Sequence, residues 1–388
     1  MSHTIQTLNN ISNKGLELLP TDEYSVVDET ESPDAILLRS FKMHDMDIPS
    51  SLKAVGRAGA GVNNIPLDRM SDAGVIVFNA PGANSNAVKE LVIAGMLMGC
   101  RNLIPAYSFA SNLEGSDSEI HKQVESGKKN FGGFELPGRT LGVVGLGAIG
   151  VLVANAAKAL GMHVIGYDPR ITIDHAWKLS ADVEAAESID QLLQESDFVT
   201  FHVPLIEATK HLINKDALKK MKDNVIIMNF ARDGIVDDEA VIAGLESGKV
   251  YSYICDFPSN ILKDNPRVVT LPHLGASTRE AEENCAIMVA NQVKDYLENG
   301  TILNAVNMRN IKLERKGVAR ISMLAKNAPD MLGQLSHILG KAHINIIHMR
   351  NESQGDLSYT LADIETALPD NVHEELLNID GVIKLHVL

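Results

Sequence analysis

The chain has 388 residues, which at ~150 residues per domain suggests two or three domains with a sizeable buried core. Lys plus Arg total 35 and Asp plus Glu total 50, a formal net charge of −15, and only 4% of residues are aromatic. That balance argues against general binding to nucleic acid or to an anionic membrane, and 45% hydrophobic residues is a globular rather than a disordered composition.

In chain order, short apolar runs come first, at Ile5–Leu8, Tyr24–Val27, Ala35–Leu38, Ala54–Gly56 and Val75–Phe78, with helix-like segments between them. Part β-branched and bounded by Gly, Pro or Asp, they predict an α/β unit with a parallel sheet. Asn86–Arg101 reads as a long buried helix, and the polar, Gly-rich stretch Asn112–Gly138 as a connection between domains. A second α/β block has strand candidates at Leu141–Val144, His163–Tyr167, Phe198–His202, Val225–Asn229, Val250–Cys255 and Val268–Leu271, the pattern of a doubly wound sheet. Cys285–Asn299 is an amphipathic helix ending at a Gly300 cap. Thr301–Lys316 reads as linker, and Gly317–Leu388 as a βαββαβ unit of ferredoxin-like order, with Pro329 in the first turn of its first helix. The expected domains are therefore 1–100 with 285–308, 101–284, a linker at 309–316, and 317–388.

Cys100, Cys255 and Cys285 form no CxxC pair and sit in apolar contexts, so they are expected to be buried free thiols with no metal site. Met1–Pro20 lacks a basic start followed by an apolar run, and no stretch of 18 apolar residues occurs. The expectation is a reducing, cytoplasmic compartment.

The run Leu141-Gly-Val-Val-Gly145-Leu-Gly147-Ala148-Ile149-Gly150 places GxGxxG after a strand and at the start of a helix. Gly145 permits the tight turn, Gly147 admits a pyrophosphate to backbone N–H groups, and Gly150 lets the helix pack on the strand. Asp168, 18 residues beyond Gly150, would accept ribose hydroxyls and repel a 2′-phosphate, so NAD is expected over NADP, with Arg170 the one residue against it. Two further segments follow strand candidates: Asn229–Asp237, with Arg232, and Pro272–Thr278, with His273. At strand C-termini an Arg can pair with a carboxylate and polarise a carbonyl, and a His can take a hydroxyl proton. Taken singly, they read rather as a surface Arg and a loop His satisfied by backbone.

Taken together with Arg57-Ala-Gly59-Ala60-Gly-Val-Asn-Asn64, these motifs resemble, in order, the D-isomer-specific 2-hydroxyacid dehydrogenases, most closely the D-3-phosphoglycerate dehydrogenases among them. The resemblance covers nearly the whole chain. It implies a Rossmann NAD domain, a flavodoxin-like substrate domain and a C-terminal ACT domain, and NAD-dependent oxidation of 3-phospho-D-glycerate. Another D-2-hydroxyacid dehydrogenase, of glyoxylate or hydroxypyruvate type, and a non-catalytic NAD sensor are the alternatives. It implies Arg232 on the substrate carboxylate and carbonyl, His273 as acid/base, and Arg57, Gly59 and Ala60 on the substrate. Ala148, Ile149, Val203, Pro204, Phe230, Ala231, Asp256, Gly275 and Ala276 would flank NAD. Arg39, Lys89, Lys128 and Lys129 are further cations for a phosphate. Asn327 and Asn345 match effector positions of an ACT unit, implying an L-serine effector, with a purely oligomerising unit as the alternative, and a homo-oligomer, dimer or tetramer, is expected.

Two departures stand out. Asp233 follows Arg232 where the family has Gly, and no glutamate follows Asp256 to pair with His273. Asp264, or an acid from elsewhere in the chain, is expected in its place.

Overall fold

A computed structural model describes residues 3–388. The chain divides into two compact units, one formed by the chain up to Ala83 with Arg279–Leu388, the other by Asn84–Thr278.

In the first unit, strands β1 (His3–Leu8), β2 (Tyr24–Val27), β3 (Ala35–Leu38), β4 (Ala54–Arg57) and β5 (Ile76–Asn79) form a parallel sheet in the order β2-β1-β3-β4-β5. That is the flavodoxin-like order. All four residues of β3 are buried, as expected of a parallel strand covered on both faces. The helix Arg279–Asn299 covers one face, and Gly15 and Gly56 let its neighbours close in: a Cβ on Gly15 would stand 2.6 Å from the Ala286 backbone. Gly300, at φ +67°, ends this helix by donating its N–H to Tyr296 O.

The second unit holds β6 (Thr140–Val144), β7 (His163–Tyr167), β8 (Glu184–Ala185), β9 (Phe198–Phe201), β10 (Val225–Asn229), β11 (Val250–Cys255) and β12 (Val268–Thr270). Their order, β12-β11-β10-β9-β6-β7-β8, is that of a Rossmann sheet, reversing between β6 and β9. The sequence leaves β8 unseen, because two exposed residues make no apolar run.

The C-terminal part of the first unit is the expected βαββαβ module: β13 (Ala319–Lys326), β14 (Ile346–Gln354), β15 (Leu357–Ile364) and β16 (Val382–Val387), antiparallel, in the order β14-β15-β13-β16, with helices Met331–Lys341 and Asp370–Leu377. Strand alternation splits its central strands between two cores. Ile321, Met323, Ala362 and Ile364 face the module's own helices, while Leu324, Tyr359 and Leu361 join the core of the first sheet with Tyr296 and Leu297. At this seam Arg320 is fully buried and grips Asp363 with two hydrogen bonds of 2.6 and 2.9 Å, and its third arm reaches Asn299 O at 2.9 Å. Tyr359 Oη donates to Gly300 O at 2.8 Å.

Five expectations need correction. The helix Ser85–Arg101 belongs to the second unit, not the first, because its Gly95 and Gly99 sit against Phe230 and Ile254. The long helix starts at Arg279, so the boundaries fall at 83/84 and 278/279 rather than 100/101 and 284/285. The segment read as linker is packed: Ile302 and Ile311 pair in an antiparallel bridge, and Met308 and Leu313 are buried in the first core. The connection Asn112–Gly138 contains a helix, Asp117–Gly127, started by a Ser116–Glu119 capping box. Pro329 lies outside its helix, which begins at Met331 after Asp330 in the left-handed region.

All three cysteines are buried and unpaired, and burial pushes the Cys255 thiol up to about 11. Among the described residues no helix is long and apolar enough to cross a membrane.

Candidate active site

The fingerprint loop joins β6 to the helix Ala148–Ala159. Gly145 has φ +91°, donates its N–H to Tyr167 O at 2.9 Å, and would put a Cβ 2.6 Å from His202 O. A Cβ on Gly150 would meet Gly145 O at 1.9 Å, which makes glycine obligatory where helix and loop touch. Gly147, the N-cap, has nothing within 4 Å of its Cβ position. The helix start, with Ala148 and Ile149 in its first turn, thus offers free N–H donors to open space, the cradle a pyrophosphate requires. These residues fit an NAD pyrophosphate. Asp168, at the end of β7, braces the loop by accepting Leu146 N–H at 2.9 Å and Arg170 N–H at 2.8 Å, which leaves further lone pairs for ribose hydroxyls.

Val203 and Pro204 follow β9 on the other side of the point where the strand order reverses. Beside them His202 Nε2 lies 3.1 Å from Thr200 Oγ1, and burial pulls the imidazole down to about 3, so it is neutral at physiological pH.

After β10, Asn229 is buried and shapes the next loop. Its side-chain oxygen accepts Ala231 N–H at 3.2 Å and its amide donates to Arg232 O at 2.9 Å. Phe230 turns into the core, and Arg232 is left exposed with Nη1 on Ala231 O at 2.7 Å. Among the described residues no carboxylate, Asp233 included, lies within 4.0 Å of the Arg232 guanidinium, so its charge is available to an anion.

After β11, Asp256 is 1% exposed, and its carboxylate accepts the N–H of Leu274 and of Gly275, both at 2.9 Å. Its carbonyl accepts His273 N–H at 3.2 Å. His273 is exposed with φ +56°, a left-handed conformation that costs a non-glycine residue about 1 kcal/mol or more and that these bonds impose. Gly275 is buried beneath it and Ala276 half-buried. The imidazole packs edge-on to Phe257, ring centroids 5.3 Å apart at 79°. No carboxylate lies within 4.0 Å of the imidazole among the described residues. Asp264 therefore does not replace the family glutamate: Leu262 is buried and Ser259 binds Asp238 at 2.7 Å, and these anchors leave Asp264 exposed.

In the first unit, Arg57 ends β4 and donates Nε–H to Arg39 O at 3.0 Å. A Cβ on Gly59 would stand 1.8 Å from Arg57 Nη1, so the missing side chain is what lets the guanidinium fold over the loop. Asn79 pins that loop through Ala60 O at 2.6 Å, and Ala80 N–H binds Gly59 O. Of the other cations, Arg39 pairs with Glu282, Lys128 with Glu125 and Lys89 with Asn86.

In the module, the strand register separates Asn327 from Asn345. Asn327 follows the Lys326–Leu357 pair and bonds Gly355 O, whereas Asn345 accepts from Glu365 N–H beside Ile364, seven residue pairs away, or ~23 Å along the sheet.

The sequence motifs locate Arg232 and His273 but miss Asn229, Phe257 and the bracing by Asp256. The trace they leave is a polar residue ending an otherwise apolar strand run.

Residues 103–275 match the family described as D-isomer specific 2-hydroxyacid dehydrogenase, NAD binding domain. The D-3-phosphoglycerate dehydrogenase of Haemophilus influenzae is 32% identical over 349 residues, 87% of this chain and 81% of that protein. That of Methanocaldococcus jannaschii is 38% identical over 80% of this chain but 58% of its own length, so the chain spans little more than half of that and similar relatives. The structure described as cofactor (NAD+) bound 3-phosphoglycerate dehydrogenase of Entamoeba histolytica superposes with a TM-score of 0.61 at 26% identity, covering 80% of this chain and all of that one.

Proposed function

The chain belongs to the D-isomer-specific 2-hydroxyacid dehydrogenases, and within that family we propose that it oxidises 3-phospho-D-glycerate to 3-phosphohydroxypyruvate with NAD, the first step of a phosphorylated route to serine. The observation that carries the chemistry is the delivery of Arg232 and His273, on loops braced by Asn229 and Asp256, to the strand ends of the sheet that bears the dinucleotide cradle. The extent of likeness to the Haemophilus influenzae phosphoglycerate enzyme supports the substrate.

In this reading Gly145, Gly147, Ala148, Ile149, Gly150 and Asp168 hold the adenosine pyrophosphate half of NAD. Val203, Pro204, Phe230, Ala231, Gly275 and Ala276 line the rest. Arg232 pairs with the substrate carboxylate and polarises the C2 oxygen, and His273 takes the C2 hydroxyl proton onto its imidazole. NAD, when bound, supplies the hydride acceptor. Arg57, with the backbone of Gly59 and Ala60, holds the substrate and supplies charge for its phosphate. The C-terminal module is read as an ACT domain. Since Asn327 and Asn345 stand at opposite ends of its sheet, an L-serine effector touching both would need two copies of the chain, which accords with a homo-oligomer. A reducing, cytoplasmic setting accords with the three buried thiols.

The Phe257 edge on His273, where a carboxylate would orient the ring, is what favours an NAD-binding protein without turnover. NADH formation with 3-phosphoglycerate, lactate and glycerate as separate substrates distinguishes the readings. Turnover of the first above the others is expected. Preference for glycerate would point to the hydroxypyruvate branch, and tight NAD binding with no turnover on any would overturn the enzyme reading.

A further inference from the structure

We propose that Phe257 is a positioning residue for His273: its ring fixes the orientation of the imidazole, the part that a carboxylate partner would otherwise play. The inference rests on the reading of His273 as the acid/base.

The need for such a residue comes from what His273 lacks. Its side chain is exposed, and among the described residues neither ring nitrogen makes a hydrogen bond or meets a carboxylate within 4.0 Å. The bonds from Asp256 fix the backbone of this loop and not the ring. A side chain tied at the backbone alone exchanges among staggered rotamers. A base displaced by about 1 Å from the hydroxyl it must deprotonate can lose about a hundredfold in rate.

Phe257 meets that need. The two ring centroids lie 5.3 Å apart at 79°, the arrangement of an edge-to-face pair. A pair of this kind favours the packed orientation about 2- to 13-fold over an unpacked one. Phe257 is itself half-buried, and its chain is anchored on both sides. Cys255 Sγ lies 3.5 Å from the Phe257 carbonyl and donates to it. Ser259 Oγ donates to Asp238 at 2.7 Å, the Ser259 carbonyl accepts the N–H of Leu262 and of Lys263, both at 3.2 Å, and Leu262 is fully buried. Asp238 opens the helix Asp238–Glu246, which follows the Arg232 loop. One hydrogen bond therefore ties the loop that bears Phe257 to the segment that bears Arg232.

A ring in place of an acid changes what is held. A carboxylate accepts an N–H, so it selects one tautomer as well as one orientation. A phenyl ring holds the imidazole by packing and takes no proton from it. Both nitrogens stay free, one to accept the substrate hydroxyl proton and the other to release a proton from the imidazolium to the water at this exposed site.

The test compares Phe257→Ala, Phe257→Leu and Phe257→Tyr in the full chain, with 3-phosphoglycerate turnover and NAD affinity measured on each. Phe257→Ala should lower kcat about 3- to 10-fold with KM and NAD affinity within about twofold, because it loosens a group that acts in the chemical step. Phe257→Tyr keeps the ring and should recover most of that rate. Phe257→Leu keeps apolar bulk without a ring and should not. Proton NMR of the His273 ring, its resonance assigned by its loss in His273→Gln, reads the contact without turnover. A ring-current shift is expected in the native chain and in Phe257→Tyr, and its loss in Phe257→Ala and Phe257→Leu. A native chain that turns over no substrate would sink the assigned reaction, and the resonance alone would then decide whether Phe257 holds the ring. A His273 resonance that does not move in Phe257→Ala, an undiminished kcat in that variant of an active chain, an equal loss of NAD affinity, or full recovery by Phe257→Leu would overturn the proposal.

Discussion

Asp256 holds His273 in place without an ion pair to its ring. The Asp256 carbonyl takes the His273 N–H, and its carboxylate takes the next two N–H groups, both at 2.9 Å. The geometry of the proposed acid/base is thus set through the backbone, by a buried charge 17 residues earlier in the chain. Asp256→Asn turns one acceptor into a donor facing an N–H. With misplacement of the order of 1 Å, kcat/KM should fall about 10- to 100-fold. Steady-state rates with NAD affinity measured in parallel check this. Unchanged kcat/KM would mean the loop holds His273 without Asp256.

The exposed Asp264 should be dispensable. Asp264→Asn is expected to leave the rate within about twofold and the pH–rate profile unmoved, since a surface carboxylate with no ion-pair partner among the described residues contributes little. A displaced acidic or basic limb would show that Asp264 reaches His273 in the working enzyme.

Gly147 and Gly150 differ in what they protect. Gly150→Ala drives a methyl into Gly145 O, and both stability and NAD binding should collapse. Gly147→Ala meets nothing in the protein, so thermal stability should hold within about 0.5–1 kcal/mol while NAD affinity drops. Thermal melts and a fluorescence titration of NAD separate the two effects. Equal behaviour of both variants would count against the pyrophosphate lying over Gly147.

Gly59→Ala tests the substrate role of Arg57. The new methyl would stand only 1.8 Å from Arg57 Nη1 and displace the guanidinium. KM for phosphoglycerate should rise about tenfold or more with NAD affinity intact. A KM that does not move removes Arg57 from the binding scheme.

The seam at Arg320 should be sensitive to acid. Burial pushes the Asp363 carboxyl up, but the Arg320 guanidinium and the Lys316 N–H outweigh it and hold it below the usual carboxylate range. A depressed carboxyl stabilises the fold above its unfolded value, and that contribution is lost as pH falls through the folded one. Arg320→Ala leaves a buried charge unpaired and should cost about 3–5 kcal/mol at pH 7, with the deficit relative to the native chain shrinking toward acid pH. Denaturant melts at pH 7 and pH 4 measure it. A constant deficit would mean the loss is packing alone.

Much of this was legible in the sequence for a physical reason. Strands buried on both faces, such as Ala35–Leu38, must be unbroken apolar runs, and a loop that carries a helix start to a pyrophosphate must have glycine where Gly145 and Gly150 sit. What was hidden depends on distant partners. The apolar helix Ser85–Arg101 does not declare which sheet it covers until Phe230 and Ile254 come against its glycines. The polar composition of 301–316 conceals that Ile302, Met308 and Ile311 are core residues. Nothing near Asp256 announces that its two oxygens will be used on Leu274 and Gly275, and the edge of Phe257 takes the place beside His273 that the family pattern reserves for an acid.

The C-terminal module has one more property that follows from Tyr359 and Arg320. Tyr359 lies 6.3 Å, ring to ring, from Tyr296 of the long helix and bonds the Gly300 carbonyl where that helix stops. A regulatory domain on a flexible tether can be cut away to leave an unregulated catalytic core. Here a stop codon after residue 316 would strip the outer wall from Tyr296 and Leu297 and melt the sheet beneath them, so truncation should yield insoluble protein instead of a deregulated enzyme.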